Sequence, residues 1–349
     1  MPLLQHQVRP GGVTGNALLV VGPSWVGDMV MAQSLFEVLK RQAPERPIDV
    51  LAPGWSLPLL ERMPQVRAGI EMPLGHGRLA LGVRWRLGRS LRGRYLKAIV
   101  LPNSWKSAVV PWAARIPVRT GWRGEMRYGL LNDLRRLDPS RLTMTVQRFV
   151  ALAEAPGAPL PPIPPPRLEV PPRGPAAALA AHGLEKPRDV RLLALCPGAE
   201  YGPAKRWPEW KYGELAHEFM KKGWQVWLFG SEKDRPVCDN VQAIAGGGVN
   251  LAGRTTLAEA VDLLSLADAV VSNDSGLMHV AAALDRPLVA IYGSSDPGFT
   301  PPLNARHRIL SLGLACSPCF ERECPLGHLR CLREIAVADV AAALESMEG

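Results

Sequence analysis

Residues 270–284 read VVSNDSGLMHVAAAL. A short apolar run, too brief for a helix, ends in the polar tip Asn-Asp-Ser-Gly, and a helical period begins at once. That strand-to-helix step is the repeating unit of an α/β fold. The step recurs on both sides of this stretch. The pattern predicts strands at 17–21, 48–52 and 98–101, and again at 192–196, 225–229, 269–272 and 288–292. Helices are expected over 29–41, 208–222 and 276–284, and from Leu257 behind the capping box Thr256-x-x-Glu259.

Between the two runs of strands lies APGAPLPPIPPPRLEVPPRGP, residues 155–175, where dense proline disfavours helix and sheet and favours a stiff connector. The expected organisation is therefore a polar extension over 1–16, a first domain over 17–154, a linker over 155–175 and a second domain over 176–349. Two doubly wound domains would place a site in a central cleft, at the carboxyl ends of the strands. The chain length of 349 residues suits two cores, and 47% hydrophobic with 21% charged residues excludes a disordered or fibrous protein. No apolar run approaches the roughly 18 residues of a membrane span, and the first sixteen residues lack a signal-peptide pattern, so a cytoplasmic protein is expected. Six cysteines then read as reduced thiols or a metal site. Residues 1–173 carry 24 Lys+Arg against 11 Asp+Glu, a charge of +13, whereas the remainder carries 17 against 21, or −4. So uneven a balance suggests that the first half faces a polyanion, though a solvated basic face is the plainer alternative.

Four loops carry candidate chemistry. At the tip of 270–284, free N–H groups and the positive helix end make an anion site. Ser275 and Gly276 admit a diphosphate to the backbone, His279 adds a donor one turn in, and Asp274 can accept from sugar hydroxyls. An ordinary cap with a surface histidine would use the same residues. The loop CPGAEYGPAKRWPEW, residues 196–210, supplies Glu200, Tyr201 and Lys205 as donor-side candidates, with Lys205 placed to neutralise a leaving phosphate. Trp207 and Trp210 read as packing anchors. Glu232 sits after the next strand, where a carboxylate commonly holds ribose hydroxyls, or is a solvated loop acid. After the first strand, VGPSWVGDM has the Gly-x-x-x-x-Gly spacing of a phosphate loop, but Asp28-Met29 stands where Lys and Ser or Thr are required. The dinucleotide Gly-x-Gly-x-x-Gly pattern is missing there too. Asp28 either caps the helix or serves as a general base toward a substrate hydroxyl.

On the acceptor side, Arg78 to Lys97 holds seven cations and no acid, interleaved with Leu and Trp, a segment suited to anionic headgroups or acceptor phosphates. No nucleic-acid-binding pattern accompanies it, so nucleic acid is not an expected partner. Ser24, Trp25, Asn103, Lys106, Arg119, Arg123 and Arg127 are the candidate acceptor contacts. Near the C-terminus, Cys316, Cys319, Cys324 and Cys331 follow a C-x2-C-x4-C-x6-C spacing. They are candidates for a structural zinc or are reduced packing thiols, since the spacing matches no common zinc module.

Together, GPSWVGDMVMAQSL, LPNSWKSA, RTGWRGEMRYGLLND, CPGAEYGPAKRWP and NDSGLMHVAAAL resemble the lipopolysaccharide heptosyltransferases of glycosyltransferase family 9. The resemblance implies a GT-B fold of two Rossmann-like domains. It implies ADP-L-glycero-β-D-manno-heptose as donor and the first heptose of the inner core on Kdo2-lipid A as acceptor, glycosylated at the cytoplasmic face of the inner membrane; a monomer is expected. By the same resemblance, Asp28 is the catalytic base and Lys205 the donor-phosphate contact, with Glu232 on the ribose and Asp274, Ser275, Gly276 and His279 as the donor-binding tip. No metal cofactor is then required. Another family 9 acceptor, or a non-catalytic glycolipid-binding protein, remains an alternative at this point.

Overall fold

The computed structural model describes residues 15–75, 78–186 and 188–347. The expected extension over 1–16 thus lies outside the described residues except for Gly15 and Asn16. By internal contacts the chain divides into two units. One comprises residues up to Ser24, Ala32–Leu142 and Gln147–Pro162, and the other Trp25–Met31, Thr143–Val146 and the chain from Ile163 onward.

The first unit is built on a six-stranded sheet of β1 (Ala17–Val21), β2 (Ile48–Pro53), β3 (Val66–Met72), β4 (Tyr95–Val100), β5 (Val118–Trp122) and β6 (Asp133–Arg135). Their order is β3-β2-β1-β4-β5-β6, and every pair is parallel. The central strand β1 is buried along its whole length, which is why ALLVV is continuously apolar rather than alternating. Helices α1 (Val26–Gln42), α2 (Leu57–Leu60), α3 (Leu81–Ser90), α4 (Val109–Ala113) and α5 (Thr145–Val150) accompany this part of the chain. Leu19, Val21, Leu51, Ala98, Val100 and Val110 form one of its buried clusters.

In the second unit the strands are β7 (Leu192–Cys196), β8 (Gln225–Leu228), β9 (Val249–Asn250), β10 (Ala269–Asn273), β11 (Leu288–Ile291) and β12 (His307–Leu310), ordered β12-β11-β10-β7-β8-β9. All are parallel again. Renumbered within the unit, this is the same order as in the first, the doubly wound arrangement. Helices α6 (Gly174–His182), α7 (Glu209–Lys221), α8 (Arg235–Ala245), α9 (Leu257–Leu264), α10 (Gly276–Ala283), α11 (Arg330–Arg333) and α12 (Val337–Glu345) complete it. The capping box opens α9 as the sequence predicts, with the Glu259 N–H donating to Thr256 Oγ1 and the Thr256 N–H to Glu259 Oε2. Trp207 is buried edge-on against Tyr212, ring centroids 4.9 Å apart, and its Nε1–H donates to the Ile335 carbonyl, as befits a packing anchor.

Two expectations need adjustment. Helix α6 begins at Gly174, inside the stretch read as linker, because Pro175 occupies its first turn, where a missing N–H costs nothing. Five strands escape the sequence pattern: β3, β5, β6, β9 and β12. Each lies at or next to a sheet edge, and β3 alternates between half-buried and exposed residues.

Candidate functional site

In the second sheet the chain leaves β7 toward β8 and later returns to β10 on the other flank of β7, so the strand order reverses between β7 and β10. Loops leaving the carboxyl ends of such neighbours diverge and open a crevice. The loop after β7 carries Lys205, and the turn after β10 carries Asp274. They meet there: Lys205 Nζ donates to Asp274 Oδ2 at 2.5 Å, with side chains 17% and 5% exposed. Thr300 Oγ1 lies 3.5 Å from the other carboxylate oxygen.

The residue that fixes this meeting was not singled out by sequence. Asn273, fully buried, accepts from the Trp207 main-chain N–H at 2.9 Å and the Tyr212 hydroxyl at 3.1 Å, while its Nδ2 donates to the Pro197 carbonyl at 2.7 Å. One amide therefore ties both ends of the 197–207 loop to the tip of β10. Its only signal in the sequence was its place before Asp274. Ser275 precedes α10 in extended conformation, and its hydroxyl lies 3.2 Å from that of Ser272.

Asp28 stands in the first turn of α1, in a segment that groups with the second unit. Burial pushes its carboxyl up from 3.8 to about 6, with Lys205 pulling it back and Asp274 pushing it further. Asp28, Lys205 and Asp274 thus form one electrostatic group. His279 closes it from α10. A Cβ on Gly27 would lie 2.5 Å from His279 Cδ2, and one on Gly276 would lie 2.7 Å from Val26 Cβ. Glycine at 27 and 276 is what allows α10 to abut the residues flanking Asp28. Burial drives the His279 imidazole down to about 4, against the pull of Asp274 and with Lys205 adding to it, so the ring is neutral at pH 7. It offers one N–H and one lone pair, not a positive charge.

The remaining donor-side candidates ring this centre. The Tyr201 hydroxyl donates to the Phe320 carbonyl at 2.5 Å, and Lys205 Nζ lies 5.1 Å from its ring centroid. Glu200 pairs with Lys233 on the surface. Glu232 is 70% exposed, receives Arg235 Nη2 at 2.6 Å and lies against Gly253, whose φ of +68° excludes most side chains.

The acceptor-side candidates lie in the first unit, apart from Trp25, which is exposed and groups with the second. Ser24 ends the first segment of that unit. The two loops read as acceptor contacts are joined there: the Glu125 N–H donates to the Asn103 carbonyl at 3.0 Å, and the Trp105 N–H to Glu125 Oε2 at 3.0 Å. Lys106 is half-buried, and its carbonyl lies 3.4 Å from Arg84 Nη1. Arg123 is exposed, 5.9 Å from the Tyr128 ring centroid. Arg119 is half-buried and donates to the Leu130 and Ile116 carbonyls, both at 2.6 Å. Arg127 corrects the expectation. It has no exposed surface, donates to the Pro102 and Trp122 carbonyls, and burial lowers its pKa to about 10. It staples the two loops together from beneath and leaves no surface for a ligand.

All six cysteines are free thiols. Among the described residues no group of three or more His, Cys, Asp or Glu is arranged to hold a metal ion. Cys331 is buried, while Cys316, Cys319 and Cys324 are partly buried.

Residues 84–330 match the family model of glycosyltransferase family 9 (heptosyltransferase), and the chain belongs to that family. It is a glycosyltransferase of GT-B architecture. Lipopolysaccharide heptosyltransferase 2 of Salmonella typhimurium is 52% identical over 307 residues, covering 84% of this chain and 88% of the relative. Lipooligosaccharide heptosyltransferase 2 of Haemophilus influenzae is 51% identical over 306 residues, with the same shares. The solved structure of E. coli ADP-heptose LPS heptosyltransferase II superposes with a TM-score of 0.85 at 45% identity, covering 95% of this chain and 98% of that one.

Proposed function

We propose that this chain transfers L-glycero-D-manno-heptose from ADP-heptose to the first heptose of the lipopolysaccharide inner core, on heptosyl-Kdo2-lipid A, with inversion at the anomeric carbon. The carrying observation is the Asp28 carboxyl, held near pKa 6 beside the Lys205–Asp274 pair at the strand switch point. The heptosyltransferases this chain resembles support ADP-heptose as donor and lipopolysaccharide as acceptor.

In this reading Asp28 takes the proton of the acceptor hydroxyl while its oxygen attacks the anomeric carbon. The carbon–oxygen bond to the diphosphate breaks, and ADP leaves from the opposite face. The charge growing on the diphosphate meets Lys205, which Asp274 holds in place, and the N–H groups at the start of α10. Neutral His279 donates one N–H to the same group. A pKa near 6 suits a base that must be ionised at neutral pH yet still attract a proton. The cations and lysine of the acceptor loops, Lys106, Arg119 and Arg123, face the anionic glycolipid. The reaction runs at the cytoplasmic face of the inner membrane with no metal cofactor. Among the described residues no helix is long and apolar enough to cross a membrane, so contact with the bilayer would be peripheral.

The test is a transfer assay with purified protein, ADP-heptose and acceptors carrying zero, one or two heptoses. Turnover confined to the one-heptose acceptor is expected. Turnover on the heptose-free acceptor instead would reassign the step, and none on any of the three would sink the reading.

A further inference from the structure

From Met72 to Gly124 the chain carries eleven lysines and arginines and no acid. Helices α3 and α4 lie inside this stretch. Gly88 lets them touch, since a Cβ there would stand 2.6 Å from both Ala113 Cβ and the Val110 carbonyl oxygen. The close approach sets Trp85 of α3 against Trp112 of α4, ring centroids 5.4 Å apart and planes at 55°. With Leu81, Trp105, Val109 and Leu130 they line a groove of about 380 Å³. Leu79, Leu81, Trp85, Trp105 and Trp112 remain 36–46% exposed. Single exposed apolar side chains are ordinary, but Leu81, Trp85, Trp105 and Trp112 lining one groove form a patch that calls for a partner.

The groove is preformed. Arg84, buried, donates to the Leu79 carbonyl at 2.8 Å, the Arg78 carbonyl at 3.0 Å and the Lys106 carbonyl at 3.4 Å. It thereby ties the approach to α3 to the turn that bears Trp105. Arg78, Arg86, Arg89 and Arg115 are exposed along the same stretch.

We propose that this tryptophan groove and its arginines dock the first unit on an anionic phospholipid bilayer, the indoles entering the headgroup boundary and the guanidiniums meeting the phosphates. Indole rings favour that boundary, and cations beside an apolar face strengthen binding to anionic lipid. Charge complementarity selects the occupant. A second copy of this chain docked here about a two-fold axis would set one arginine-rich surface against another, with Glu125 beside Trp105 the acid at its edge. The proposal rests on the preceding reading only in taking the acceptor to be a membrane glycolipid.

The full-length protein is sedimented with vesicles of phosphatidylcholine, with or without phosphatidylglycerol. Expected is binding to the anionic vesicles that weakens as salt is raised. Trp85→Ala/Trp112→Ala should lower that partition by about tenfold or more, and Arg86→Glu/Arg89→Glu likewise, the latter leaving the groove intact. Equal binding to neutral and anionic vesicles would overturn the proposal, as would wild-type partition in the charge-reversed variant. So would a dimer that the tryptophan variant converts to monomer with its vesicle affinity kept. On a deacylated, water-soluble acceptor the tryptophan variant should turn over like wild type. If wild type itself fails there, the proposed reaction falls and the vesicle result stands separately. If the tryptophan variant unfolds, the charge-reversed variant decides.

Discussion

The two units share one strand order and use it in opposite ways. At the switch point of the second sheet, charges are drawn inside and paired: Lys205 with Asp274, and Asp28 beside them. In the first unit the ends of β4 and β5 bury Arg127 as scaffolding, and the exposed groups nearby are tryptophans and unbalanced cations. Buried, pre-paired charge suits a small ligand with a fixed diphosphate, because no reorganisation is left to do at the moment of reaction. An open, predominantly cationic surface suits an extended polyanion.

The sharpest way to break this contrast is at Asp28. Asp28→Asn keeps the shape and removes the base, so transfer should fall by about 10²–10⁴-fold in kcat, with the ADP dissociation constant nearly unchanged in calorimetry. Substantial residual turnover would assign the base elsewhere. Lys205→Ala should act on the other quantity. It removes a charge-assisted contact worth about 1.5–3 kcal/mol, or roughly 10–100-fold in donor affinity, and leaves Asp274 buried without its cation. Unchanged donor affinity would mean that the pair is structural.

How far the sequence could be read follows the same division. The strands at the middle of each sheet are buried on both faces and announce themselves as apolar runs, as with β1 and β10. The edge strands β9 and β12 are short and half-exposed, and no periodicity marks them. Asp28, Lys205, Asp274 and His279 could be singled out because each stands in, or within a turn of, a step from strand to helix, where a polar side chain has few packing reasons to be. Asn273 was not, because its role lies in three partners distant in sequence. Nor was Arg127, since an arginine in a turn looks the same on paper whether it faces solvent or two main-chain carbonyls.

Arginine in the first unit offers the next comparison. Arg127→Ala would take its donor from the Trp122 carbonyl and leave the Pro102 carbonyl to the Ser107 hydroxyl alone, at about 1–3 kcal/mol for a buried acceptor left unpaired, and should lower the melting temperature. Arg123→Ala should stay within about 0.5 kcal/mol of wild type in stability and raise KM for the glycolipid instead. If the two variants behave alike in calorimetry, the assignment of one arginine to scaffold and the other to surface is wrong.

The smallest effect returns to Asp28, through pH. Its native pKa of about 6 lies above the ordinary 3.8, so between those values the folded protein holds a proton that the unfolded chain has released. Stability therefore falls as pH rises from about 4 to about 6, and the penalty stays in full above that range. Activity runs the other way: kcat/KM should rise toward pH 6 and level off above it as the base ionises. Asparagine at position 28 escapes the penalty. Asp28→Asn should thus melt higher than wild type at pH 8, by a few degrees at about 2–4 °C per kcal/mol, and the gap should close as pH is lowered toward 4. A gap that is absent at pH 8, or that widens on acidification, would show that Asp28 is not held against its charge. The case for a poised base would then have to rest on geometry alone.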